Sequence, residues 1–284
     1  MKILVLGASG MLGNAMIRVL SENPDWQVYG TIQSESSKRF FSSDIAQHLY
    51  SGIDVEQYDS LVQAFIKIRP NIVINCVGLI KQLADSNNPL QALPINSLLP
   101  HRLASLCDLV GARLVHMSTD CVFSGKKGNY RETDPSDAED LYGKSKFLGE
   151  VDYPHAVTLR TSIIGHELQG SKSLIGWFLS QEEQCKGYVK AIYSGLPTVV
   201  LAQIVRDVVI RRTDLSGLYH VASAPISKYD LLRLVAEIYE KPIRIIPDES
   251  LQIDRSLNSD KFREATGYVA PDWKEMIQLM HAYR

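Results

Sequence analysis

The chain has 284 residues, 45% of them hydrophobic and 22% charged, with a formal net charge of −2. These values suit a soluble α/β protein of one large domain with an appended lobe, and they argue against a nucleic-acid or anionic-membrane partner. The four cysteines (Cys76, Cys107, Cys121, Cys185) form no CxxC pair, so no metal is expected; with no apolar run of membrane-spanning length, a cytoplasmic location is expected.

Ile3-Leu4-Val5-Leu6 is a continuous β-forming run, the pattern of a parallel strand buried on both faces. It feeds Gly7-Ala8-Ser9-Gly10-Met11-Leu12-Gly13 and then an apolar helix pattern at Ala15, Met16, Val19 and Leu20. Strand, glycine turn and helix in that order make a dinucleotide-binding context. Gly7 permits the tight turn, Gly10 lets backbone approach a pyrophosphate, and Gly13 allows close helix–strand packing. The phosphates would rest on the helix N-terminus. A second strand over 28–32 ends in Thr31, Ile32, Gln33 and Ser34, where an NAD-binding unit would place an acid for the ribose 2′-OH. Lys38 and Arg39 follow, either on a 2′-phosphate or in a solvated loop. NADP(H) is therefore the expected cofactor, with NAD(H) as the alternative.

Gly52-Ile53-Asp54-Val55 reads as a short strand end, with Asp54 either accepting from an adenine amino group or capping a helix over 59–69. A fourth strand over 71–76 ends in Val77-Gly78, where a small residue would let a cofactor pass the strand tip. A helix over 94–110 carries Asn96 on a largely apolar face. The fifth strand, 113–117, runs into Ser118-Thr119-Asp120-Cys121-Val122-Phe123-Ser124-Gly125, hydroxyl-rich at the carboxyl end, where parallel sheets bind ligands. A sixth strand over 156–160 leads into Thr161-Ser162-Ile163-Ile164-Gly165-His166. Beyond it the alternation loosens, with helices expected over 174–184, up to 212, over 228–239 behind the capping box Ser227-Lys228-Tyr229-Asp230, and from Pro271 onward. The expected fold is a Rossmann-type doubly wound parallel sheet. Residues 1–165 form its dinucleotide-binding part and 190–222 return to it; 166–189 and 223–284 form a small discontinuous substrate lobe.

Tyr142 and Lys146 are four apart at the start of an expected helix, so their side chains share a face. A phenol titrates near pH 10, and an ammonium beside it is expected to favour the phenolate and bring it nearer a useful range. That is the equipment of a carbonyl reductase, where a hydride reaches carbon while a proton reaches oxygen.

Taken together, Gly7-x-x-Gly10-x-x-Gly13, Ser118-Thr119-Asp120-x-Val122-Phe123-x-Gly125, Tyr130-x-Glu132-x-Asp134, Tyr142-x-x-x-Lys146, Arg160-Thr161-Ser162 and Gly217-x-Tyr219-His220 resemble the extended short-chain dehydrogenase/reductases. Within that class the chain is most similar to the dTDP-4-dehydrorhamnose reductases. The resemblance fades after His220, where a closing pattern is only echoed by Arg255-Ser256-Leu257-Asn258-Ser259. It implies reduction of a 4-keto-6-deoxy nucleotide sugar by NADPH in cell-surface polysaccharide synthesis. It also implies catalytic roles for Thr119, Tyr142 and Lys146: Tyr142 as proton donor, Lys146 tuning it, and Thr119 polarising the carbonyl. The expected cofactor contacts are Gly7, Ser9, Gly10, Met11, Leu12, Gly13, Arg39, Asp54, Val55, Cys76, Val77, Gly78, Ser118, Tyr142, Lys146 and Ser162. The expected substrate contacts are Lys81, Cys121, Val122, Phe123, Trp177, Gln203 and Arg255. The nucleotide sugar is the expected partner, with a homodimer left open. Two rival readings stand beside this one. Cys121 and His166 could trade protons in an epimerase, or the chain could be a non-catalytic NADP-binding subunit, like the regulatory subunit of methionine adenosyltransferase.

Overall fold

The computed structural model describes residues 1–79 and 87–284. The run Ile3–Leu6 lies within β1 (Lys2–Leu6), which runs parallel to both β2 (Gln27–Thr31) and β4 (Ile72–Asn75), and its four apolar side chains are completely buried. With β3 (Leu49–Tyr50), β5 (Arg113–Thr119), β6 (Ala156–Thr161) and a later strand, Gly217–His220, these form one seven-stranded parallel sheet. Its spatial order is Gly217–His220, β6, β5, β4, β1, β2, β3. The order reverses between β1 and β4, and such switch points open a ligand crevice at the carboxyl ends of the strands. This is the expected doubly wound Rossmann-type fold.

The continuous apolar strands are explained by cover on both faces. Ile3 and Val5 point into one core with Met16, Ile17, Val115 and Val157, whereas Leu4 and Leu6 point into the other with Leu61, Phe65, Leu103 and Leu114. Each such side chain contributes about 1.5–3 kcal/mol on burial. The first face is covered by α1 (Met11–Ser21) and the helices Thr198–Ile204 and Trp273–Ala282.

Several element boundaries differ from expectation. Residues 52–55 are not a strand end; pairing stops at Tyr50, and Gly52 turns with φ +73°. The helix expected over 94–110 begins at Pro89 and widens over Leu93–Leu98 before Leu99–Val110. Pro94, lacking an N–H, disfavours a regular α-turn there. Beyond β6, the remaining strands form short pairings outside the main sheet. β7 (Ile163–Ile164) pairs with Leu196–Pro197, Gln184–Tyr188 with Arg244–Asp248, and Ala191–Tyr193 is flanked by Ile226–Ser227 and Ile253–Asp254. These segments roof the carboxyl ends of β5 and β6.

Candidate active site

The glycine turn sits as its sequence requires. Gly7 has φ +76°, and a Cβ on it would come within 2.9 Å of Val77 Cγ2. A Cβ on Gly13 would overlap the Gly7 carbonyl oxygen and stand 2.7 Å from Gly7 C and 2.9 Å from Ala8 Cα, all backbone. Gly10 is the N-cap of α1, without a side-chain cap or an acid in the first turn, so the first amides of the helix stay open. Ser9, Gly10, Met11 and Leu12 then line a cleft of about 690 Å³ that runs past Cys76, Val77 and Gly78 to the end of β5. An uncapped, acid-free helix start in a concave turn fits a dinucleotide pyrophosphate.

At the far end of the cleft stand Ser118, Thr119, Cys121, Tyr142, Lys146 and Ser162. Helix Leu141–Leu148 is started by Asp140, whose side chain accepts from Gly143 N at 2.8 Å. The helix is wedged in place by two glycines. A Cβ on Gly143 would overlap the Cys121 carbonyl oxygen, and one on Gly149 would overlap that of Asn96. Thr119 stands beside the Tyr142 phenol in the cleft, where its hydroxyl donates to Asp120 Oδ1 at 3.2 Å and accepts from Cys121 N at 3.1 Å. Lys146 Nζ donates to the Met117 carbonyl at 2.7 Å. Burial holds the lysine down at about 8, with Glu150 opposing. The phenol moves the other way from the sequence expectation: burial, aided by Cys121, pushes Tyr142 above its ordinary value. Desolvation of a phenolate and the acidic groups nearby outweigh the lowering influence of the Thr119 hydroxyl. Asp120 is likewise raised by burial, against the pull of Arg255.

The other motif residues are brought together behind the cleft. Arg160, 2% exposed, pairs with Glu150 through Nε at 2.8 Å and Nη2 at 2.5 Å, and its Nη1 meets His220 Nε2 at 2.9 Å. Burial and Arg160 hold His220 down at about 3, so the neutral ring accepts from Arg160 and donates from Nδ1 toward the Tyr130 and Asn258 carbonyls at 3.1 and 3.2 Å. Glu132 accepts from His220 N at 2.8 Å, and the Tyr130 hydroxyl accepts from Gly125 N at 3.1 Å. These residues brace the ends of β5 and β6. Asn96 serves similarly, accepting from Leu79 N at 2.9 Å and donating to Ser145 Oγ at 3.1 Å.

Several expected contacts lie elsewhere. Val122 and Phe123 are fully buried, with Phe123 stacked on Tyr130 at 4.1 Å, and neither lines the cleft. Trp177 is 37% exposed and lies off the cleft, as does Gln203 on Thr198–Ile204. Arg39 is exposed over the Phe40 ring; Ser37 and Phe40 line the cleft in its place. Asp54 accepts from Glu56 N at 3.0 Å, capping the turn, and Val55 packs into the core. Lys81 lies outside the described residues. Arg255 does line the cleft, its Nε donating to the Phe123 carbonyl at 2.8 Å and its Nη1 lying 3.7 Å from Cys121 Sγ. Tyr193, Lys228 and Ile253 also line it, and no motif in the sequence marks them beyond the capping box at Lys228. Cys121 and His166 are not brought together: His166 lines a separate cavity of about 360 Å³, its Nε2 2.8 Å from the Tyr239 hydroxyl.

Known proteins resemble this chain over most or all of their length. The chain is 25% identical over 307 residues to the dTDP-4-dehydrorhamnose reductase of Aggregatibacter actinomycetemcomitans, covering 99% of each. It is 26% identical over 264 residues to the methionine adenosyltransferase 2 subunit beta of Xenopus tropicalis, covering 87% of this chain and 76% of that protein. The dTDP-4-dehydrorhamnose reductase of Bacillus anthracis str. Ames, solved in complex with NADP, matches with a TM-score of 0.80 at 20% identity, over 100% of this chain and 99% of that one. A family profile described as the RmlD substrate binding domain matches residues 1–283, and the chain belongs to that family.

Proposed function

We propose that the protein is an NADPH-dependent reductase of a 4-keto-6-deoxy nucleotide sugar, of the dTDP-4-dehydrorhamnose kind, serving cell-surface polysaccharide synthesis in the cytoplasm. The observation that carries this reading is the convergence of Thr119, Tyr142 and Lys146 at one end of a cleft whose other end is the uncapped start of α1. When bound, the cofactor supplies the hydride. Ser9 to Leu12 hold its phosphates on open helix amides, and Cys76 to Gly78 let it pass the tip of β4. Tyr142, held protonated at neutral pH by burial, donates its proton to the carbonyl oxygen. Thr119 donates a hydrogen bond to the same oxygen, worth about 3 kcal/mol of transition-state stabilisation. The Lys146 ammonium offsets the charge that appears on the phenol.

Glu35, the nearest acid beyond β2, is bound to Lys38 at 2.9 Å and 67% exposed, which supports NADP(H) over NAD(H). Residues 166–189 and 223–284 act as the substrate lobe, with Arg255 and Lys228 as the cations available to a diphosphate. The relatives named as reductases support this activity, whereas the similarity to the methionine adenosyltransferase subunit favours a purely binding role. A binder has no use for all three of Thr119, Tyr142 and Lys146. Incubation with NADPH and a panel of dTDP-, UDP- and GDP-4-keto-6-deoxy sugars, followed by nicotinamide oxidation, tests the reading. Turnover that is lost in Tyr142→Phe while NADPH still binds supports it; no turnover with any sugar overturns it.

A further inference from the structure

Glu150 lies four residues beyond Lys146, just past the end of helix Leu141–Leu148, with its side chain 10% exposed. Its Oε1 accepts from Ser118 Oγ at 2.6 Å and from Arg160 Nε at 2.8 Å, and its Oε2 from Arg160 Nη2 at 2.5 Å. Ser118 follows Met117, whose carbonyl takes the Lys146 ammonium. One carboxylate and two cations thus share a buried region behind the cleft. Lys146 is faced on its own helix by Tyr142 and beyond it by Glu150, from the end of β4 by Cys76, from β5 by His116, and through Glu150 by Arg160 and His220. Four of these are neutral near pH 8. Burial pushes the Cys76 thiol up to about 12 and the Tyr142 phenol higher still, and holds His116 well below its ordinary value and His220 at about 3. Among the described residues of this circle, Glu150 and Arg160 are left as the formal charges; Glu150 acts on Lys146 directly, and Arg160 bears on it through Glu150.

We infer that Glu150 is a positioning residue for Lys146: its carboxylate ties down the end of β5 and supplies the counter-charge that keeps Lys146 an ammonium beside Tyr142, while Arg160 opposes it. The inference deepens the reductase reading and rests on it. A brace and a counter-charge differ in sign. Removing Glu150 leaves two buried cations, and Lys146 must lose its proton more readily. Removing Arg160 leaves the carboxylate to Lys146 alone, and the proton must be held more tightly.

The test compares Glu150→Gln, Arg160→Met and the double variant by the alkaline limb of kcat/KM, which deprotonation of Lys146 is expected to set. The limb is expected to fall by about one pH unit in the first, rise by about one in the second, and return toward wild type in the double variant, roughly a tenfold change in kcat/KM above each limb. Limbs that stay in place, or move the same way in both single variants, overturn the inference even if both melt at lower temperature. Should Glu150→Gln fail to fold, Glu150→Asp and Arg160→Met decide: the aspartate is expected to keep the limb near wild type, and an unmoved limb in Arg160→Met sinks the idea. Titrating Lys146 by ¹⁵N NMR in the same proteins reads the shifts without turnover. A failed reductase assignment would leave that result standing.

Discussion

Replacing Gly13 with alanine perturbs the proposed cofactor cradle at its tightest point. The added Cβ would overlap the Gly7 carbonyl oxygen and stand 2.7 and 2.9 Å from Gly7 C and Ala8 Cα. All three are backbone, so no side chain can swing aside, and the turn must retreat by roughly an ångström to restore contact distances. Gly7 has nowhere to go, being at φ +76° with its own face against Val77. Overpacking of this kind costs about 1–3 kcal/mol, or about 2–5 °C in melting temperature for a chain of this length. The same retreat misaligns the helix amides from the phosphates. Losing one such charge-assisted hydrogen bond, about 1.5–3 kcal/mol, weakens NADPH binding about 10- to 100-fold. Thermal melts and fluorescence titration with NADPH measure both. Gly10→Ala is the control for the melting arm alone: its Cβ would lie 3.3 Å from the Gly7 carbonyl oxygen, so little change in melting is expected, whereas NADPH affinity should still fall because Gly10 lines the proposed phosphate site. A Gly13→Ala protein with wild-type melting and NADPH affinity would refute the packing argument outright.

Thr119→Val should lower kcat by about 100- to 1,000-fold with NADPH affinity unchanged, by single-turnover kinetics and titration. Lys146, held down at about 8 against roughly 10.5 in the unfolded chain, binds fewer protons folded than unfolded between those values. Wild-type stability should therefore gain about 2–3 kcal/mol relative to Lys146→Met as pH rises from about 8 to 10.5, measured by urea unfolding at several pH values; a flat difference would contradict the burial argument. His166→Ala should leave reduction intact and no solvent deuterium should enter the sugar at carbons flanking the ketone, because His166 lies outside the cleft. Arg255→Ala should raise KM at least several-fold with little change in NADPH binding, read from steady-state kinetics.

What could be read in the sequence was what short-range periodicity controls. The run Ile3–Leu6, the glycine spacing and the four-residue step from Tyr142 to Lys146 all express local geometry, and each sits where it was placed. Residues whose role depends on distant partners were misread or missed. Val122 and Phe123 adjoin Thr119 in sequence, yet Phe123 turns inward onto Tyr130 and Arg160. Tyr130, Glu132, Arg160 and His220 stood out as a pattern without a purpose, because their purpose is a buried network assembled from the loop after β5, β6 and a strand some sixty residues later. Tyr193 and Ile253 line the cleft through strands of two or three residues, too short to announce themselves. The tyrosine's ionisation was misjudged because spacing reveals a neighbouring ammonium and says nothing of desolvation.

The two glycines that wedge helix Leu141–Leu148 have a bearing on engineering. With no slack at either end, the proposed proton-delivering pair of Tyr142 and Lys146 has little freedom to follow a misplaced ketone, so an altered substrate must bring its carbonyl to that pair. Attempts to broaden the sugar range are best spent on Ile192, Lys228 and Ile253 along the opposite wall. Libraries that vary Gly143 or Gly149 should yield mostly inactive protein.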